Sequence, residues 1–109
     1  MSIPSNYTIV KDIPISNPKD YQFVSFLKEG EDYISGNELQ KRAINPLGIA
    51  DAEYLLEHQE LIPKTEHKYY LVFVGTTLRY SDGGLHVPCL IWDGDRWVLG
   101  FLWLGHGWF

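Results

Sequence analysis

Hydrophobic residues recur along this chain with two periods, helical in the first sixty residues and extended from Lys68 onward. Tyr21 and Val24, with Phe23 and Leu27, fall at helical spacing, which predicts a helix from Lys19 or Asp20 to about Lys28, ended by Gly30. Ser35-Gly36-Asn37-Glu38 reads as a capping box, in which the Ser35 hydroxyl accepts from the amide three residues on while Glu38 reaches back. The helix it opens carries Leu39 and Ala43 one turn apart and has to stop before Pro46. A third helix is predicted from about Ala50 to Leu61, closed by Ile62-Pro63. Ala52, Leu55, Leu56 and Gln59 form its inward stripe, and Glu53, Glu57 and Glu60 line the opposite face.

The β-branched and aromatic run Tyr69–Val74 predicts a strand that continues through Thr76–Tyr80 past a bulge at Gly75. Ser81-Asp82-Gly83-Gly84 is a turn. Leu85–Trp92 is a second strand, in which Pro88 points to an edge position or a bulge. Asp93-Gly94 then signals a hairpin with positive φ at Gly94, and Arg96–Leu104 is the third strand. A two-residue loop sets Leu90 opposite Trp97. Trp97, Leu99, Phe101 and Trp103 share one face of the third strand, and their volume assigns that face, Trp103 included, to the core under the helices. Ahead of all this, Pro4, Pro14 and Pro18 make residues 1–22 irregular, with a short edge strand around Tyr7–Val10.

Composition sharpens the picture. Residues 69–109 hold all four tryptophans, ten of the sixteen aromatics and only five of the twenty-three charged residues. An aromatic sheet is therefore the heart of the fold. The net charge of −5 sits mostly in residues 1–68, and there is no Lys/Arg cluster. Phosphate-backbone binding needs such a cluster, so nucleic acid is excluded as a partner class. One cysteine, Cys89, excludes an internal disulfide framework and a Cys-based zinc ribbon. No basic segment followed by an apolar run opens the chain, and the apolar runs fall far short of the roughly 20 residues of a spanning helix. The expected compartment is cytoplasmic, with no membrane partner.

Candidate chemistry is sparse. His86-x-x-Cys89 has half the spacing of a metal site, but strand positions three apart point to opposite faces, so no metal is assigned. Cys89 reads as a small buried apolar residue rather than a nucleophile. Asp93-Gly94-Asp95 and Asp82-Gly83-Gly84 are turn residues, lacking the further ligands of a calcium loop. His86 or His106 with a turn aspartate is the remaining acid–base arrangement, and the Asp82 and Asp93 turns stand about 20 Å apart across strands of this length. No Gly pattern for a nucleotide is present, and no cofactor is assigned. The acidic stripe Glu53, Glu57, Glu60 reads as a solvated helix face or as a surface for a basic partner. The aromatic excess reads as core or as an exposed binding patch, with Trp108, Phe109, Tyr80 and Trp92 as candidate anchors.

The expectation is one α+β domain over residues 1–109. Two or three short N-terminal helices within about 19–63 pack on a C-terminal antiparallel β-meander of three or more strands at about 68–104. The expected function is that of a small, acidic, non-enzymatic interaction protein, adaptor or inhibitor-like, binding a protein with a basic or apolar surface. The alternative is a domain that stacks a small molecule or glycan on exposed tryptophan, and an enzyme ranks third.

Overall fold

The computed structural model describes residues 3–18, 21, 34–35, 46–67, 70–104 and 107–108. Among them the chain forms β1 (Tyr7–Lys11), β2 (Ile34–Ser35), α1 (Ile49–Glu57), 3-10 turns at Gln59–Leu61 and Lys64–Glu66, β3 (Leu71–Val72), β4 (Thr77–Tyr80), β5 (Leu85–Trp92), β6 (Trp97–Trp103) and β7 (Gly107–Trp108). β5 is the axis of a five-stranded antiparallel sheet. β6 runs along one of its edges, β3 and β4 share the other in tandem, and β1 flanks β4. β2 and β7 form a separate antiparallel pair.

Pro88 explains why β3 and β4 are two strands. It sits mid-β5, and its carbonyl accepts from Phe73 N at 2.9 Å on the edge shared with β3. Its own nitrogen carries no hydrogen, so the neighbouring strand loses a ladder bond there. The chain breaks away over residues 73–76, and Gly75 N turns instead to Leu47 O at 2.9 Å. Gly75 is fixed by that approach, since a Cβ there would stand 2.9 Å from Leu47 O and collide with Ile13. Pro88 thus occupies a central strand, and the expected bulge lies in its partner.

The hairpin between β5 and β6 departs from the expected register. Leu90 faces Leu99 and Trp92 faces Trp97, a shift of two residues that keeps every side chain on its expected face. The cause is the Asp93 carboxylate, which accepts from Asp95 N and Arg96 N, both at 2.9 Å, and so makes Asp93 the corner of the turn. Gly94 follows with φ 100°, the positive value expected of it.

The N-cap position of helix α1 is Gly48, which has no side chain with which to cap it. The missing cap comes from Thr76, whose Oγ1 accepts from Ile49 N at 2.8 Å and donates to Asp12 Oδ1 at 2.6 Å. Asp51 in the first turn suits the helix macrodipole. It is fully buried, and its Oδ1 accepts from Ser16 N at 2.9 Å and from the Tyr21 hydroxyl. Burial, followed by the Asp51 partner, raises the Tyr21 phenol above its ordinary range. These two nodes tie the N-terminal segment to the helix start. Ile49, Ala52 and Leu55 are buried, and Ala52 and Leu55 pack with Ile62, Phe73, Leu90 and Trp97 in one core cluster. Across the sheet, Val74, Val87 and Leu104 form a second, with Val72, Leu85 and Leu102 against it.

The expected fold, two or three N-terminal helices on a C-terminal meander, is overturned. The sheet has five strands, one of them built from residues 7–11, and α1 is the only α-helix among the described residues. It also stops at Glu57 rather than Leu61, because Gln59 leaves the helical path to bind the backbone of Trp97. The helices expected over 19–28 and from Ser35 to Pro46 lie outside the described residues, apart from Tyr21, which is not helical, and Ser35, which is in β2. Among the described residues no helix is long and apolar enough to cross a membrane.

Candidate functional site

Helix α1 and strand β6 differ in length, and that difference opens a site. Nine residues of helix span about 14 Å, whereas seven residues of strand span about 23 Å. The helix covers the Trp97–Leu99 half of the sheet face and leaves the other half to aromatic side chains. Trp97 is 2% exposed under the helix, whereas Trp103, on the same face of the same strand, is 50% exposed. Trp103 was expected in the core, and the reach of the helix corrects that expectation.

The open half is built from β1, β4, β5 and β6. Register sets His86 opposite Trp103, Pro88 opposite Phe101 and Tyr7 opposite Tyr80. The Tyr7 ring lies across the sheet, stacked on Phe101 at 4.8 Å and edge-on to Tyr80 at 5.0 Å and His86 at 5.4 Å. Such arrangements satisfy the ring quadrupoles and stiffen the surface. Tyr80 also meets His86 at 6.0 Å, and its hydroxyl accepts from Asn6 Nδ2 at 3.2 Å. His86 Nδ1 is 3.2 Å from Gly84 O. A carbonyl only accepts, so Nδ1 is the donor in this contact. The turn beside the cluster is pinned by Asp82 Oδ1 accepting from Gly84 N at 2.8 Å. The Tyr7 phenol is raised from its ordinary value by burial first, then by Tyr80 and Asp82. Tyr7 therefore presents a neutral hydroxyl.

A second aromatic group lies at the opposite end of the sheet. His67 stacks on Trp92 at 3.6 Å with planes 8° apart, and Trp92 meets Trp97 edge-on at 5.8 Å. His67 occupies one face of Trp92 and Trp97 is buried, so this group reads as closed packing.

The residues singled out from the sequence fall into separate places. Tyr80 belongs to the open cluster and Trp92 to the closed one, at opposite ends of β5. Trp108 lies in β7, paired through its backbone with Ile34, and Phe109 is outside the described residues. Of the acidic stripe, Glu53 is half-buried on α1, Glu57 is exposed at the helix end, and Glu60 is exposed in the following 3-10 turn. Because the helix stops at Glu57, Glu60 leaves the helical stripe, and its carboxylate stands 3.7 Å from His58 Nδ1. From the sequence, Tyr7 is only part of an edge strand, His86 is weighed only against Cys89 and the turn aspartates, and Phe101 and Trp103 are assigned to the core. The parity of β6 already put Phe101 and Trp103 on one face, and only the reach of the helix was missing.

The described residues offer little chemistry. Cys89 is buried on the face opposite His86, and burial pushes its thiol up to about 12 despite a backbone hydrogen bond from Gly100. A thiol so held is a poor nucleophile at neutral pH. Among the described residues no three His, Cys, Asp or Glu side chains gather to hold a metal ion. No protein-family model, no curated protein and no solved structure matches the chain. The surface itself therefore carries the functional reading.

Proposed function

We propose that this protein is a small, non-enzymatic interaction protein, adaptor or inhibitor-like, that binds another protein through the open aromatic end of its sheet. The observation that carries the reading is the half-exposed Trp103, held on a regular strand beside the Tyr7–Phe101 stack. Tryptophan and tyrosine dominate interface hot spots because a rigid ring buries a large area at little entropic cost, and its polar edge still finds a partner. Asp82 beside the cluster and the net charge of −5 favour a partner whose binding surface is apolar with a basic rim. The exposed carboxylates of Glu57 and Glu60 add long-range attraction for the same partner.

The test is affinity capture from extract with the wild-type chain and with Trp103→Ser, each first checked for an unchanged circular dichroism spectrum. A stoichiometric protein retained by the wild type and lost by the variant supports the reading. Equal capture by both, or none by either, refutes it. A fluorescence change with a panel of oligosaccharides in place of protein capture would favour a ligand-stacking domain instead.

A further inference from the structure

The outer edge of β6 is built for a second strand. Leu104 N donates to Leu85 O and Asp93 N to Arg96 O, so the even-numbered residues of β6 turn their backbone groups towards β5. The odd-numbered residues face outward. At Trp97 the outward groups are taken by a side chain, with Trp97 N donating to Gln59 Oε1 at 2.8 Å and Gln59 Nε2 donating to Trp97 O at 3.0 Å. Among the described residues the outward N–H and C=O of Leu99 and Phe101 have no partner, and β6 pairs there with β5 alone.

Natural sheets protect such edges with lysine, proline or a bulge. The opposite edge has two of these devices: β1 carries a register irregularity between Ile9 and Lys11 and ends on that lysine. β6 has none. Its seven residues, Trp-Val-Leu-Gly-Phe-Leu-Trp, include no charge and no proline, and all seven pair with β5 in unbroken register.

The same segment reads alike in both directions. About Gly100, Leu99 answers Phe101, Val98 answers Leu102, and Trp97 answers Trp103. A segment of that kind is complementary to an inverted copy of itself, which is what a two-fold interface requires.

We propose that two copies of this chain pair antiparallel through the outer edges of their β6 strands, with the two-fold axis at Gly100. In this register Leu99 of each copy exchanges both backbone bonds with Phe101 of the other, giving about four hydrogen bonds. Gly100 meets its own copy as the closely spaced, non-hydrogen-bonded pair on the axis, where two side chains would crowd and glycine does not. Val98 faces Leu102 of the second copy on one side of the joined sheet, and Leu99 faces Phe101 on the other. Gln59, holding the backbone of Trp97, ends the shared ladder on each side and blocks slippage past it. The assembly is closed because each copy has one such edge. This pairing uses the backbone edge rather than the ring surface, so it stands independently of the partner-binding reading.

The experiment combines sedimentation velocity of the full chain, from micromolar to millimolar, with amide hydrogen exchange at the same concentrations. The expected result is a monomer–dimer equilibrium in which exchange at Leu99 and Phe101 slows at least about tenfold as dimer forms, while exchange elsewhere on β6 changes less. Val98→Lys, which supplies the missing edge lysine, should stay monomeric at all concentrations. If that variant does not fold, the wild-type exchange data decide alone. A monomer throughout, a dimer whose Leu99 and Phe101 amides exchange independently of concentration, or growth into open polymers overturns the proposal.

Discussion

The side-chain amide of Gln59 pairs with the backbone of Trp97 in both directions, at 2.8 and 3.0 Å, as a neighbouring strand would. A third contact, Gln59 Nε2 to Leu56 O at 3.2 Å, fixes the amide to the end of the helix. One residue thus ends α1 and finishes the edge of β6. Gln59→Leu should cost about 1–3 kcal/mol, because it strands a backbone donor and acceptor beside the core. Gln59→Glu should cost a similar amount or more, since it keeps the acceptor but sets a carboxylate against the Trp97 carbonyl. Urea unfolding of the three proteins measures both.

Trp97 and Trp103 lie on one face of one strand and differ in what covers them. Trp97→Ala should cost about 3–5 kcal/mol, the usual penalty for removing a buried large aromatic. Trp103→Ala should cost roughly 1–2 kcal/mol, since about half of the side chain never leaves water. Equal losses in chemical denaturation would mean that the sheet face is covered evenly.

Thr76 caps a helix that begins 27 positions earlier in the chain. Thr76→Val keeps the shape of the side chain, removes the acceptor for Ile49 N and the donor to Asp12, and should cost about 1–3 kcal/mol. Thr76→Ser should retain most of the stability. Gly48→Ala should also destabilise, because its Cβ would stand 2.7 Å from Thr76 Oγ1. Thermal melts of the set measure these losses, and a neutral Thr76→Val would remove the cap from the account.

The carboxyl of Asp93 is held below its ordinary range, first by the Arg96 amide and then by the Asp95 amide. A group whose pKa is lower in the folded state stabilises that state above its unfolded value, and the gain is lost as pH falls through the folded value. The β5–β6 hairpin should therefore weaken on acidification through and below the usual aspartate range, about 3.9. Asp93→Ala should flatten that part of the stability–pH curve without changing its neutral-to-alkaline limb, as followed by urea midpoints across pH.

Much of the sheet was legible because strand parity is a local property. Gly94, the faces of β6 and the interruption near Gly75 follow from turn chemistry and alternation alone. Ala52, Leu55 and Leu56 of the inward stripe of α1 were equally readable, whereas Gln59 lies past the helix end and the buried Asp51 was not foreseen. The rest depends on distant partners. Thr76 capping Ile49, and Gln59 holding Trp97, join segments far apart in sequence, and neither is signalled by local spacing. The register shift arose because the Asp93 carboxylate takes the amides of Asp95 and Arg96, which makes the connection four residues long where alternation alone suggested two. Trp103 was misplaced for a simpler reason: parity gives the face of a strand but says nothing of how far a helix reaches along it.

The central claim is that α1 covers half of one sheet face and leaves an aromatic surface at the other. Fluorine NMR of the chain labelled with 5-fluorotryptophan, titrated with a soluble gadolinium chelate, tests it most directly. The Trp103 resonance should relax much faster than that of Trp97, with Trp92, half-buried against His67, between them. Protection of Trp103 equal to that of Trp97 would contradict the claim, and with it the proposed binding surface.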